Sequence, residues 1–82
     1  MKVLTIRGER YVTVDWVAQC YSVEERWVLR ALELGYVGPA ETVEGAVALP
    51  AAALERLARI RRLELQLGFG LEALEPWVER EE

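Results

Sequence analysis

The stretch SVEERWVLRALELG, Ser22 to Gly35, constrains this chain most, because it carries a helix start and a helix stop within one short segment. Ser22 is followed three residues later by Glu25, the capping-box spacing, in which each side chain satisfies an orphan backbone N–H of the other. Glu24 and Glu25 also suit the positive end of the helix dipole. Gly35 supplies the left-handed conformation on which helices commonly end. The predicted helix therefore runs through ERWVLRALEL. Ahead of it, Thr13 is placed to cap a first helix through VDWVAQC. Two short helices joined across CYS make a helix-turn-helix, with Val17, Val28 and Leu32 as the shared core.

The flanking segments switch period. KVLTIRGERYVTV alternates apolar and polar residues on both sides of Gly8-Glu9, the pattern of a short hairpin. Two strands alone are marginal, so a third is expected to join them. From Tyr36 the chain reads YVGPAETVEGAVAL, with Gly38-Pro39 and Glu44-Gly45 as turn signals, and Glu44-Gly45 closes a small wing-like hairpin. Pro50 fits the first turn of a third helix, PAAALERLARIRRLELQL, where its missing N–H costs nothing. Ala53, Leu57, Ile60 and Leu67 recur at helical spacing and are expected to face the core. Arg56, Arg59 and Arg62 fall every third residue on one side, a basic stripe. Gly68 ends this helix and Gly70 leads to a last one, LEALEPWVEREE, in which Pro76 imposes either a kink or a one-turn helix followed by a fresh start. Trp77 is expected to pin that helix to the core, and the acidic tail to fray. The expected fold is mainly α with small β, as one domain over residues 1–82. It has about four helices and a short antiparallel sheet built from the N-terminal hairpin and the wing.

Composition bounds what such a domain can do. Eighty-two residues with 52% apolar content make one small core and no roomy interior site. Fourteen acids against ten bases give a formal charge of -4, which leaves no net footprint for a phosphate backbone and favours a basic partner. Histidine is absent and Cys20 is the single cysteine, which removes the usual zinc ligand sets and the His-assisted nucleophiles. The expectation is a non-enzyme without cofactor or metal, with Cys20 as a small buried apolar residue. One cysteine cannot form an internal disulfide, and the opening MKVLTIRGERYV is too short in its apolar part and too charged for a signal peptide. No apolar run approaches the ~20 residues of a membrane helix. These features point to the cytoplasm.

From Val12 to Val37, VTVDWVAQCYSVEERWVLRALELGYV resembles the winged helix-turn-helix of MerR-type regulators, with Ala18, Val23, Gly35 and Pro39 in register. ALERLARIRRLELQLGFGLEALEPWV is similar to the same group's third helix and its Gly-Phe-Ser-Leu-Glu-Glu-Ile turn, carried by Gly68, Phe69, Gly70, Leu71, Glu72 and Leu74. MerR-type DNA readers place an arginine and two tyrosines in the second helix for phosphate contacts. Here that stretch is WVLRA. Leu29 holds the arginine's position, both tyrosines are gone, and Arg26 and Arg30 stand beside Glu24, Glu25 and Glu33. The wing, ETVEGAVAL, has Glu41 and Glu44 and no base. Each missing phosphate contact removes a share of counterion release.

This short, acidic form is similar to the chaperone modulator family of the CbpM type, which binds the J-domain of a DnaJ-like co-chaperone. It is also similar to assembly factors of the DafA kind, which hold DnaK and DnaJ together. The resemblance implies a non-enzymatic adaptor or inhibitor with a J-domain as partner, and CbpM-like proteins can form homodimers. On this reading Glu24, Glu25, Glu33, Glu41 and Glu44 complement a basic helix, and Trp16 and Trp27 supply apolar anchors. The alternative is a small MerR-like or excisionase-like DNA-binding protein using Arg26, Arg30, Arg56, Arg59 and Arg62, a set that could equally serve as a second surface for an acidic partner. Each residue also has a purely structural reading. Trp27 lies four residues from Val23 and Ala31 and can pack inward, and Trp16 can cover the hairpin. Glu24 and Glu25 cap a helix, Glu41 and Glu44 are turn residues, and the arginines form a solvated face tied to Glu55 and Glu64.

Overall fold

The computed structural model describes residues 3–80. The chain begins with two strands, β1 (Val3–Ile6) and β2 (Glu9–Thr13), paired antiparallel with Ile6 opposite Glu9. The two residues between them, Arg7 and Gly8, both have positive φ, 51° and 81°. That is the two-residue turn whose twist matches the flanking strands, and it is centred one residue earlier than the Gly8-Glu9 expected. The second hairpin, β3 (Glu41–Val43) and β4 (Ala46–Pro50), repeats the device at Glu44 and Gly45, with φ of 51° and 83°. Pairing of β2 with β4, Val12 opposite Leu49, joins the hairpins into a four-stranded antiparallel sheet of order β1-β2-β4-β3. The lone hairpin thus gains its expected partners.

Helices α1 (Val14–Tyr21) and α2 (Glu25–Glu33) follow β2. The capping box does not form. Ser22 takes a left-handed conformation, φ 57° and ψ 43°, and closes α1 instead. Its N–H donates to the Gln19 carbonyl at 3.3 Å and that of Val23 to Ala18 at 3.0 Å, the paired bonds of a Schellman motif. The connection is only three residues long, and ending α1 consumes the residue that would have begun α2. Glu24 becomes the extended residue before α2, and its side chain makes no capping bond. Thr13 occupies the position ahead of α1, but its hydroxyl makes no cap either; it is buried without a hydrogen-bond partner among the described residues. Because serine pays for a left-handed backbone that glycine adopts freely, Ser22→Gly is expected to stabilise the protein by about 1 kcal/mol. A working capping box would instead make that change destabilising, so thermal denaturation separates the two accounts.

The stop at Gly35 is as expected. Gly35, φ 79°, donates to Leu32 at 3.0 Å and Tyr36 to Ala31 at 3.1 Å, a second Schellman end. Tyr36 and Ala31 are both buried, the apolar contact that accompanies this motif, and the Tyr36 hydroxyl donates to the Leu71 carbonyl at 2.7 Å.

After β4 a 3-10 turn (Ala51–Ala53) precedes α3 (Leu54–Leu67), so Pro50 ends a strand and leads into the turn rather than opening the long helix. Leu57 and Ile60 are buried and Ala53 is half-buried, but Leu67 is 37% exposed. It lies seven residues past Ile60, about 10 Å along the axis, where α3 overruns the core. A second 3-10 turn (Leu71–Leu74) buries both its leucines, and α4 (Glu75–Arg80) starts afresh with Pro76 in its first turn. Leu74 and Val78 fix this end to the core, while Trp77 is half-buried against Phe69, ring centroids 5.4 Å apart. Glu81 and Glu82 of the acidic tail lie outside the described residues.

One cluster, including Val12, Val17, Val28, Val37, Leu49, Leu57, Ile60 and Leu74, joins sheet and helices. Val17 and Val28 are fully buried, and Leu32 is half-buried at the edge. Cys20 is exposed, contrary to expectation. The buried stripe of α1 is Val14, Val17 and Ala18, and two residues beyond Ala18 a helix points the opposite way. Among the described residues no helix is long and apolar enough to cross a membrane.

Candidate functional site

Helix α2 turns Val28 and Ala31 to the core, which leaves Glu25, Arg26, Leu29, Arg30 and Glu33 on the opposite face. Leu29 is 38% exposed, an apolar crest among charges. A groove runs along each side of it. The larger, about 510 Å³, lies toward α3 and the second 3-10 turn and is lined by Glu24, Arg26, Trp27, Leu29, Arg30, Glu33, Glu64, Leu71 and Glu72. The smaller, about 300 Å³, lies toward α1 and the β3–β4 turn and is lined by Val14, Asp15, Glu25, Leu29, Gly45, Ala46 and Val47. Four carboxylates line the first groove and two the second, against two arginines in all.

Trp27 is half-buried and latched to α3. Its indole N–H donates to both oxygens of Glu64, at 3.0 and 3.2 Å. Arg61 lies over its ring, guanidinium carbon 5.6 Å from the centroid, and itself donates to Glu64 Oε1 at 2.7 Å. Such cation–π contact stabilises by roughly 0.5–1 kcal/mol at partly exposed sites. Trp27 therefore has a structural task on one side and lines the larger groove on the other. Trp16 is half-buried against the core and lines neither groove.

Both arginines of the α2 face are engaged by carboxylates. Arg26 Nη2 lies 3.1 Å from Glu24 Oε1. Arg30 donates from Nε to Glu72 at 2.7 Å and from Nη1 to Glu33 at 3.0 Å, which bridges α2 to the second 3-10 turn. The hydrogen bond from Arg30 lowers the pKa of Glu72, and Glu72, then Glu33, raise that of Arg30. These groups are solvated, so the bridge organises the face more than it stabilises the fold. A carboxylate with a lowered folded-state pKa keeps its pair at neutral pH and loses it as pH falls through that lowered value. In an NMR titration Glu72 is expected to protonate below the ordinary carboxylate range and to return to it in Arg30→Gln; an unshifted Glu72 in the parent would dissolve the bridge.

The other expected site residues separate. Glu41 is half-buried and pairs with Arg7 of the first turn at 2.6 Å, tying the two hairpins together. Glu44 is exposed at the β3–β4 turn, where the next residue, Gly45, lines the smaller groove. The basic stripe does not exist as one solvated face. Arg56 is half-buried, with Nε donating to the Tyr36 carbonyl and Nη2 to that of Val78. Arg59 is half-buried as well, and Arg62 is exposed. Among the described residues no set of three carboxylates or cysteine is placed to hold a metal ion.

Leu29, Asp15, Glu64 and Glu72 belong to the site without having been singled out for it. The spacing of Glu25, Leu29 and Glu33, four residues apart, does put that leucine on the acidic face. Nothing local couples Trp27 to Glu64, thirty-seven residues away. The chain matches no family model, no curated protein and no solved structure.

Proposed function

We propose that this chain is a non-enzymatic protein-interaction module that binds the J-domain of a DnaJ-like co-chaperone, acting as a chaperone modulator or as a DnaK–DnaJ assembly factor on a MerR-like winged helix-turn-helix scaffold. The observation that carries the reading is the face of α2. An exposed Leu29 stands between grooves lined by six carboxylates, and among the described residues the two arginines there, Arg26 and Arg30, are bound to carboxylates. Charge complementarity of this kind speeds encounter with a basic surface and sets specificity, while the apolar crest supplies affinity. A phosphate backbone meets the reverse. Arg26 and Arg30 would have to leave Glu24, Glu33 and Glu72, and Arg56 holds two backbone carbonyls.

The test sets a J-domain against duplex DNA at low salt. Retention of the J-domain is expected; tight DNA binding with a steep salt slope and no J-domain binding would overturn the proposal. Reversing charge with Glu24→Lys and Glu25→Lys is expected to weaken J-domain binding about tenfold, roughly 1.4 kcal/mol. Glu25 sits in the first turn of α2, so unfolding is measured alongside to separate lost docking from lost helix.

A further inference from the structure

Leu29 belongs to both grooves, so α2 is a ridge with acid on each flank. One flank is lined by Asp15 and Glu25. On the other, Glu33 and Glu72 hold Arg30 between them. An α-helix with its side chains is about 10 Å across, and seven residues of helix rise about 10 Å while returning to the same face. Basic side chains at i and i+7 of a crossing helix therefore reach the two flanks, and the residue at i+3 or i+4 between them lands on the crest. We propose that the α2 face recognises a single amphipathic basic helix laid across it, with arginine or lysine at i and i+7 and a leucine-sized residue at i+3 or i+4 against Leu29. This rests on α2 being the docking face and names the element it docks.

Both flanks suit long basic side chains, which bury an aliphatic stem while the charged head stays in water. Val14, Ala46 and Val47 line the wall below Asp15 and Glu25. Across the ridge, Trp27 offers the apolar surface, and Arg61 shows that the indole accepts a guanidinium. An extended polybasic segment could supply the charge, but its neighbouring side chains alternate faces and do not place an apolar group on the crest between two bases.

The probes are two blocked, alanine-rich helical peptides of about 18 residues with identical composition. One carries arginine at i and i+7 and leucine at i+3; in the other the arginines are moved to opposite faces. NMR titration against the full chain is expected to show the first binding at least tenfold tighter, with shifts at Glu25 on one flank and Glu72 on the other. Leu29→Ala is expected to weaken binding of the first peptide about tenfold; unchanged binding would take the leucine off the crest. Equal binding of both peptides overturns the crossing register and leaves an acidic docking face standing. A J-domain that binds while neither peptide does overturns the helix as the recognised element. If J-domain and both peptides all fail, the docking face itself is lost.

Discussion

Trp27→Ala is expected to lower the unfolding free energy by about 3 kcal/mol, the range for truncating a large packed aromatic side chain. Domains of this size are stable by roughly 5–10 kcal/mol, so the loss is a large fraction of the whole. Three contributions add. The ring loses its contact with α3, Arg61 loses the face it lies over, and Glu64, whose side chain is only 16% exposed, loses an N–H donor. Trp27→Phe separates them. It keeps the ring for Arg61 and most of the buried area but not the donor, and is expected to cost about 1 kcal/mol, a single hydrogen bond in net terms. Chemical denaturation of both variants provides the readout. An alanine variant as stable as the parent would show that Trp27 is a surface ring available entirely to a partner.

Trp27 also marks where sequence reading stops. Both an inward-packing and a partner-facing reading fit its spacing, and its structural task is set by a carboxylate thirty-seven residues away that no local pattern names. The same distance effect governs Arg56. Spacing alone puts it on a basic stripe, whereas its guanidinium reaches across to carbonyls of Tyr36 and Val78. Signals confined to neighbouring residues fared differently. The Glu44-Gly45 turn, the stop at Gly35 and the fresh start around Pro76 all follow from backbone conformations that glycine and proline permit or forbid. Ser22 lies between these cases. Its capping motif is local and well formed, but the end of α1 competes for the same residue and wins. Two adjacent helix boundaries can claim one side chain, and only the geometry of the connection decides. Leu67 shows the corresponding blind spot for periodicity, which assigns a face but not how far along the helix a core extends.

Leu29→Asp is expected to reduce J-domain affinity about a hundredfold, close to 2.7 kcal/mol, the scale of an interface hot spot. The unfolding free energy should fall by only about 1 kcal/mol, because the side chain is exposed and the new carboxylate meets Glu25 and Glu33 one turn away on either side. The sign of the added charge makes the experiment informative. Another carboxylate on an acidic face strengthens long-range attraction to a basic partner and, if anything, raises the association rate. A loss of affinity can then come only from removing the apolar contact and placing a solvated charge where the partner must be dry, and it should appear as faster dissociation. Glu25→Gln acts on the other component, slowing association and flattening the salt dependence while dissociation stays nearly unchanged. Leu65, 67% exposed in α3 and outside both grooves, is the control position. If Leu65→Asp weakens binding as much as Leu29→Asp does, the partner is held by the far end of α3, and the acidic ridge of α2 only steers it there.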